Sequence, residues 1–174
     1  QAEHHYQNLL RLSRADDLYL DDQAHARLGL ARVSLERNEL DAADEHVAAA
    51  LAIADRTHEP QLDLQSTLLG AAIALAQGRA ALSRSRLDAL ETRAPRPIDL
   101  REVRAAQAAL ALSTDDVIGA RRWRSALRLL PPASAGLLRE REALLISRLR
   151  GLDGEVDDAL SDLDRLAVEA REVG

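Results

Sequence analysis

The feature that most constrains the fold is a pattern that recurs four times along the chain, each time after a polar or glycine turn. Each copy has an apolar residue and, three positions further on, a small residue. The small residues are 40, 37 and 39 positions apart, and they are Ala43, Ser83, Ala120 and Ala159. A period near 39 residues predicts a solenoid of helical hairpins. The second helix of each hairpin would pack closely on the first, which requires a small side chain at that point.

The composition agrees with a helical chain. Of 174 residues, 47% are hydrophobic but only 2% are aromatic, and Phe, Met and Cys are absent. Ala and Leu have high helix propensity, whereas the β-branched and aromatic residues that strands prefer are scarce. The absence of Cys excludes disulfides, zinc–thiolate sites and thiol nucleophiles. We therefore expect an all-α fold, a superhelical array of helical hairpins.

Prolines divide the chain into segments. They occur in three places and, because proline breaks a helix interior, they predict loops at Pro60, Pro95, Pro97, Pro131 and Pro132. The sequence predicts one domain over residues 1–174, with a leading helix at 2–13 and hairpins at about 22–57, 61–94, 98–130 and 136–172. Because the chain begins with Gln instead of Met, we expect it to be a fragment of a longer protein.

The residues that follow each turn resemble the second half of a tetratricopeptide repeat (TPR). Apolar residues follow the small residue at helical spacing, and Pro95 and Pro132 follow it by twelve positions in two copies. The longer period is similar to that of the helical arrays in MalT-like, large ATP-binding LuxR-type transcription regulators. Three segments carry this similarity: LERNELDAADEHVAAALAIADR (35–56), GARRW (119–123) and LREREALLISRLRGLDGEVDDALSDLDRLAVEAR (138–171). The resemblance covers essentially the whole chain, although one copy departs from it with Ser83 and with Gly70 inside its first helix.

The resemblance implies a non-catalytic module that senses an effector, mediates protein interactions and controls the assembly of a transcription regulator. In that family a nucleotide-binding switch precedes the array and a helix-turn-helix follows it. A small molecule or partner protein bound to the array would bias the switch by the difference between its affinities for the two states. The alternative is a general TPR scaffold for protein interactions in another signalling protein, such as one with a kinase domain.

The TPR register also implies a concave groove lined by the first helix of each hairpin. The candidate residues for contact with a small-molecule effector or a partner protein are His25, Arg32, Glu36, Gln65, Glu102, Arg141 and Arg148. For each of them, an equally good interpretation is a helix position that is simply exposed to solvent. The sequence does not distinguish a small molecule from a peptide as the ligand. Because the chain has no Lys, the Lys and Asn clamp that some TPR modules use for acidic C-terminal peptides is absent in its usual form.

A second candidate surface is basic and contains the single tryptophan. Its residues are consecutive on one predicted helix, and they are Arg121, Arg122, Trp123 and Arg124. Such a helix could contact nucleic acid or an acidic partner. We favour the alternative interpretation, in which Trp123 packs between helices, because it lies three residues after Ala120, and the arginines around it are solvated.

Other functions lack the residues they need. Only His4 and His5 are neighbours among the five histidines, and adjacent helical residues point about 100° apart, which disfavours a shared metal ion. No phosphate loop or nucleophile elbow is present, so we expect neither an enzyme nor a cofactor in this fragment. A net charge of -6 disfavours direct binding of nucleic acid. No apolar run is long enough for a membrane span and no signal pattern is found, so we expect a cytoplasmic location.

The two ends of the array are predicted to be apolar. The segment from residue 2 to about residue 13 resembles a second helix without its first helix, and the last repeat ends without a polar capping helix. We therefore expect these end faces to pair, either between copies of the chain or with further repeats of a longer protein.

Overall fold

The computed structural model describes residues 2–13, 19–93, 96–127, 129–130 and 137–173. Over these residues the chain forms nine α-helices and no strand, which confirms the all-α prediction. The helices are α1 (Ala2–Ser13), α2 (Leu20–Glu36), α3 (Leu40–Thr57), α4 (Pro60–Ala76), α5 (Ala80–Arg93), α6 (Pro97–Ser113), α7 (Val117–Leu127), α8 (Leu137–Leu152) and α9 (Val156–Val173).

The helices belong to two compact units. Residues 1–93 form the first unit, with α1 to α5, and residues 94–174 form the second, with α6 to α9. In the first unit each helix packs on the next, and α2 also contacts α4. In the second unit α6 pairs with α7 and α8 with α9, while α8 also contacts α6 and α7. Each unit is therefore built from helical hairpins joined through their neighbours.

The four turns inside the hairpins share one backbone conformation. Each contains one residue with positive φ, and these residues are Asn38 (61°), Gly78 (75°), Asp115 (56°) and Gly154 (83°). The amide of the following residue donates to the carbonyl oxygen five positions earlier, at 2.8 to 3.0 Å. This Schellman arrangement pairs carbonyl groups that the end of the helix would otherwise leave free. The turns lie where the sequence predicted them, because Gly, Asn and Asp tolerate the left-handed conformation best.

The small residue of each repeat is buried. The exposed fractions of Ala43, Ser83, Ala120 and Ala159 are 0, 1, 0 and 6%. The amide of each of them donates to the carbonyl oxygen four positions earlier, in the turn. The position is thus fixed relative to the turn, and a larger side chain there would have to displace the facing helix.

Gly70, which interrupts the repeat pattern in α4, permits a close approach of three helices. A Cβ atom at this position would lie 2.9 Å from Nη1 of Arg86 on α5 and 3.2 Å from Cγ1 of Val47 on α3. Arg86 also donates a hydrogen bond of 2.6 Å to the carbonyl oxygen of Gly70. A larger residue at Gly70 would therefore have to displace Arg86 or Val47.

Two prolines that were predicted to lie in loops instead begin helices. Pro60 and Pro97 are the first residues of α4 and α6. Proline fits this position because the first turn of a helix leaves its amides unpaired, so the missing N–H costs nothing. Pro95, Pro131 and Pro132 lie outside the described residues.

The core consists mainly of Ala, Leu, Ile and Val. In the first unit three separate apolar clusters connect α1 with α2, and α2 with α3 and α4. In the second unit a single cluster connects α6, α7 and α8, and Trp123 and Ala105 pack against it. Its buried residues are Ala108, Ala111, Leu112, Ala120, Leu127, Leu145 and Leu149. Neither unit needs a large aromatic core, which agrees with the composition.

Candidate ligand- and partner-binding site

The first three candidate residues lie along one exposed face of α2. His25, Arg32 and Glu36 are separated by seven and four positions, which is helical spacing, and all three are exposed. Nδ1 of His25 lies 2.7 Å from the carbonyl oxygen of Asp21. Arg32 and Glu36 make no hydrogen bond or ion pair with any residue that the structure describes. The face of α2 therefore presents charged groups whose hydrogen-bonding capacity is open to a ligand.

Gln65 lies on α4, the helix that contacts α2 in the first unit. Its side chain is half-buried. Leu68, Ala72 and Ala76 follow Gln65 along the same face of α4, and of these Leu68 is half-buried while the two alanines are exposed. This face of α4 therefore carries small apolar side chains next to Gln65.

Glu102, on α6 in the second unit, is half-buried among other charges. Burial raises the pKa of its carboxyl above the ordinary value. The charge of Asp99 raises the pKa further, Arg96 opposes this rise, and Glu142 adds to it. Because the ionised form is disfavoured, a cationic ligand group would stabilise this site and an anionic group would not.

Arg101 and Glu142, which the sequence analysis did not single out, form an ion pair between α6 and α8. Nε of Arg101 lies 2.6 Å from Oε1 of Glu142, and Nη2 donates to Oε2 at 2.7 Å. The two side chains are only 11 and 10% exposed. Nη1 of Arg101 also donates to the carbonyl oxygens of Leu127 and Leu130 at 3.2 Å. The guanidinium group thus connects three helices of the second unit and satisfies carbonyls at and just beyond the end of α7.

One signal in the sequence could have identified this ion pair. Glu142 lies seventeen positions before the small residue Ala159, where the other repeats have Ala26, Ser66 and Val103, which are all fully buried. A carboxylate at a position that is otherwise small or apolar requires a buried cationic partner.

Arg148 and Arg141 were predicted on α8. Arg148 is exposed and makes no hydrogen bond or ion pair with the described residues. It lines a cavity of about 260 Å³ in the second unit, together with Asp115 in the turn between α6 and α7 and residues of α6, α7 and α8. The side chain of Arg141 lies outside those that the structure describes.

The basic cluster on α7 uses its charges within the second unit. Nε of Arg121 lies 2.5 Å from Oδ1 of Asp153, and Nη1 of Arg124 lies 2.7 Å from Oδ2 of the same carboxylate. The guanidinium of Arg122 lies 5.5 Å from the ring centroid of Trp123, a cation–π distance. Trp123 itself packs against the apolar cluster. These contacts favour the packing interpretation over contact with nucleic acid.

A cavity of about 280 Å³ in the first unit has polar walls whose groups are bonded to one another. Arg86 donates to the carbonyl oxygen of Gly70, and Nη1 of Arg93 lies 3.3 Å from Oδ2 of Asp63. The hydroxyl of Thr67 donates to Asp63 at 3.3 Å. This cavity therefore offers a ligand fewer open groups than the surface around Arg148.

Neither a metal site nor a membrane span is found in the described part of the chain. There, no group of three or more His, Asp or Glu side chains is arranged to hold a metal ion. Within the same residues, no helix combines the length and the apolar character that a membrane span requires.

Comparison with known proteins places the chain in a family. No curated protein and no solved structure matches it. A family model does match, that of the MalT-like TPR region, and the match covers residues 1–174. TPR-type helical repeats are generally non-catalytic and mediate protein interactions through their surfaces. The chain therefore belongs to the family of MalT-like TPR regions.

Proposed function

We propose that the chain is the effector-sensing and protein-interaction module of a MalT-like, LuxR-family transcription regulator in the cytoplasm. The observation that carries the proposal is the match of all 174 residues to the MalT-like TPR region. The module holds no cofactor and catalyses no reaction. It binds a small-molecule effector or a partner protein and thereby controls assembly of the regulator. Binding acts through the difference between the affinities of the two assembly states for the ligand.

The exposed polar face of α2 supports the location of the binding surface. Arg32 and Glu36 have open charges, and His25 lies on the same face. Glu102 and Arg148 are the corresponding candidates in the second unit. The proposal assigns the basic cluster on α7 to packing, so the module makes no direct contact with nucleic acid.

A thermal-shift screen of the 174-residue chain tests the proposal. An effector at one hundred times its dissociation constant should stabilise the fold by about 2.7 kcal/mol. The stabilisation should decrease in Arg32→Ala or Arg148→Ala. Arg84→Ala is the matched control, because Arg84 is also exposed and unbonded among the described residues but lies on a second helix, α5. If no metabolite stabilises the chain, a protein partner and the general scaffold function become the better explanation.

The neighbouring coding sequence separates the two functions directly. A phosphate loop encoded upstream and a helix-turn-helix encoded downstream would support the regulator. A kinase domain in the same gene would support the general scaffold.

The proposal includes self-association through the last helix. Val156, Leu160 and Leu163 lie at helical spacing on α9 and are 52, 55 and 39% exposed. Such a row of apolar side chains is costly to leave in water and favours contact with a second copy. Sedimentation at micromolar concentration should show a dimer that Leu160→Asp dissociates. A strict monomer in this measurement would remove self-association from the proposal.

A further inference from the structure

The cavity beside Arg148 lies entirely within the second unit. Its apolar walls come from the end of α6, the start of α7 and the end of α8. Its volume is about 260 Å³, and it is lined by Leu112, Asp115, Val117, Arg148, Gly151 and Leu152. This is slightly below the ~300–1,000 Å³ of sites for drug-sized ligands, so the cavity suits a smaller molecule.

Two opposite charges line this cavity without pairing. Arg148 and Asp115 make no ion pair with each other within 4.0 Å, and neither side chain bonds to another described residue. Other arginines of the second unit do pair with carboxylates. Nη1 of Arg150, for example, lies 2.6 Å from Oδ2 of Asp162. Arg148 and Asp115 therefore both have charges open to a ligand that carries the two opposite charges.

The backbone around the cavity fixes the position of Asp115 in its turn. Asp115 has a φ of 56° in the Schellman turn, and its amide donates to the carbonyl oxygen of Leu112. Helices α6 and α8 both end beside the cavity, at Ser113 and Leu152. Helix α7 begins there, at Val117, and its partial positive charge offsets the partial negative charge of these C-termini, so the preference for a cationic group comes from the carboxylate of Asp115 itself.

We propose that this cavity binds a free α-amino acid with an aliphatic side chain. The carboxylate of the amino acid accepts hydrogen bonds from the guanidinium of Arg148, and its ammonium donates to the carboxylate of Asp115. The aliphatic side chain contacts the apolar walls at Leu112, Val117 and Leu152. In a free amino acid the ammonium and the carboxylate are attached to the same carbon atom. A simple carboxylic acid lacks the ammonium, and an internal peptide residue has neither charge. The inference rests on the proposed function, because it names the class of ligand that Arg148, one of the predicted binding residues, would bind.

Calorimetric titration of the 174-residue chain with L-leucine tests this ligand class. Two analogues remove one charge each: 4-methylpentanoate lacks the ammonium, and 3-methylbutylamine lacks the carboxylate. Leucine should bind, and each analogue should bind about tenfold more weakly or worse, because a charged partner is left without its hydrogen bonds. Equal binding of leucine and 4-methylpentanoate, or no binding of leucine at millimolar concentrations, would overturn the proposal.

Two variants test the location of the site. Arg148→Gln should weaken leucine and 4-methylpentanoate together, whereas Asp115→Asn should weaken leucine and abolish its preference over 4-methylpentanoate. Both are expected to fold, since Gln is a good helix former and Asn tolerates positive φ, and circular dichroism checks this. Arg84→Gln, which replaces an exposed arginine on α5 in the first unit, should bind leucine like the wild type.

The outcomes separate this inference from the proposed function. Unchanged leucine binding in Arg148→Gln and Asp115→Asn would overturn the cavity as the site. A different effector whose stabilisation depends on Arg32 would still support the proposed function in that case.

Discussion

The two units use opposite charge arrangements to connect neighbouring hairpins. In the first unit a turn supplies the cation: Arg79, between α4 and α5, lies 3.2 Å from Asp44 on α3. In the second unit a turn supplies the anion: Asp153, between α8 and α9, lies 2.7 Å from Arg124 on α7. In both units the turn of one hairpin pairs with the second helix of the hairpin before it. The repeat therefore determines where a bridging ion pair lies, but not its polarity.

The units also differ in whether an ion pair between neighbouring hairpins is buried. The ion pair between Arg79 and Asp44 is 45 and 34% exposed. The pair between Arg101 and Glu142 in the second unit is 11 and 10% exposed. Exposed pairs contribute about 0–1 kcal/mol, whereas loss of one partner from a buried pair leaves an uncompensated charge. The first unit thus depends mainly on its apolar clusters, and the second depends on charges as well.

The largest effect is expected when one partner of the buried ion pair between Arg101 and Glu142 is removed. Glu142→Gln should lower the free energy of unfolding by about 3 kcal/mol, because Arg101 remains buried without a counter-charge. Asp44→Asn in the first unit should cost less than about 1 kcal/mol. Urea unfolding followed by circular dichroism measures both. Similar losses in the two variants would contradict the distinction between the units.

A double variant is the control for this prediction. Replacing both charges, in Arg101→Met with Glu142→Leu, should recover most of the stability that Glu142→Gln loses, since an apolar pair leaves no unpaired charge. No recovery would show that the hydrogen bonds from Arg101 to the carbonyl oxygens of Leu127 and Leu130, which the double variant also removes, matter as much as the ion pair.

Substitutions at two glycines, one in each unit, should change stability by an intermediate amount. Gly70→Ala should destabilise the first unit by about 1 kcal/mol, since overpacking against Arg86 and Val47 outweighs the gain in helix propensity. Gly151→Ala in the second unit should stabilise by up to about 1 kcal/mol, because nothing lies within 4 Å of the added Cβ. The midpoints of thermal unfolding should therefore shift in opposite directions. Shifts in the same direction would contradict the close approach at Gly70.

The smallest expected effect depends on pH. Since the pKa of Glu102 is raised in the fold, its contribution to stability is present below the ordinary Glu pKa of about 4.3 and is lost as pH rises through the raised value. Glu102→Gln should therefore unfold at a higher temperature than the wild type at pH 7, and at the same temperature near pH 3.5. Gln65→Glu, at the same repeat position in the first unit, should show the reverse difference at pH 7. If Glu102→Gln raised the unfolding temperature equally at pH 7 and near pH 3.5, the raised pKa of Glu102 would be excluded as the cause.

The hairpins could be predicted from sequence because their causes are local. Positive φ at Asn38 and Gly78 follows from residue type, and burial of Ala43 and Ala120 follows from spacing. The exposure of Arg32 likewise follows from helical periodicity. These features need no knowledge of distant residues.

The remaining features depend on contacts between distant parts of the chain. Arg101 and Glu142 are 41 residues apart, and each alone resembles a solvated helix charge. Asp115 and Arg148 share a cavity only because a turn and a separate helix approach each other. The boundary between the two units is only weakly marked along the chain. Helix α5, the last helix of the first unit, buries three residues in a single row, Ser83, Leu87 and Leu90, whereas α3 buries five.

The left-handed residue in each hairpin turn has an evolutionary consequence. Gly78 and Gly154 adopt positive φ without a steric penalty, whereas Asp115 adopts it at a cost of about 1 kcal/mol. Replacing Asp115 by Gly would make the hairpin more stable but would remove a carboxylate from the cavity. The turn at Asp115 is thus a position where stability can be exchanged for recognition without altering the hairpin, and selection can change the specificity of the array there.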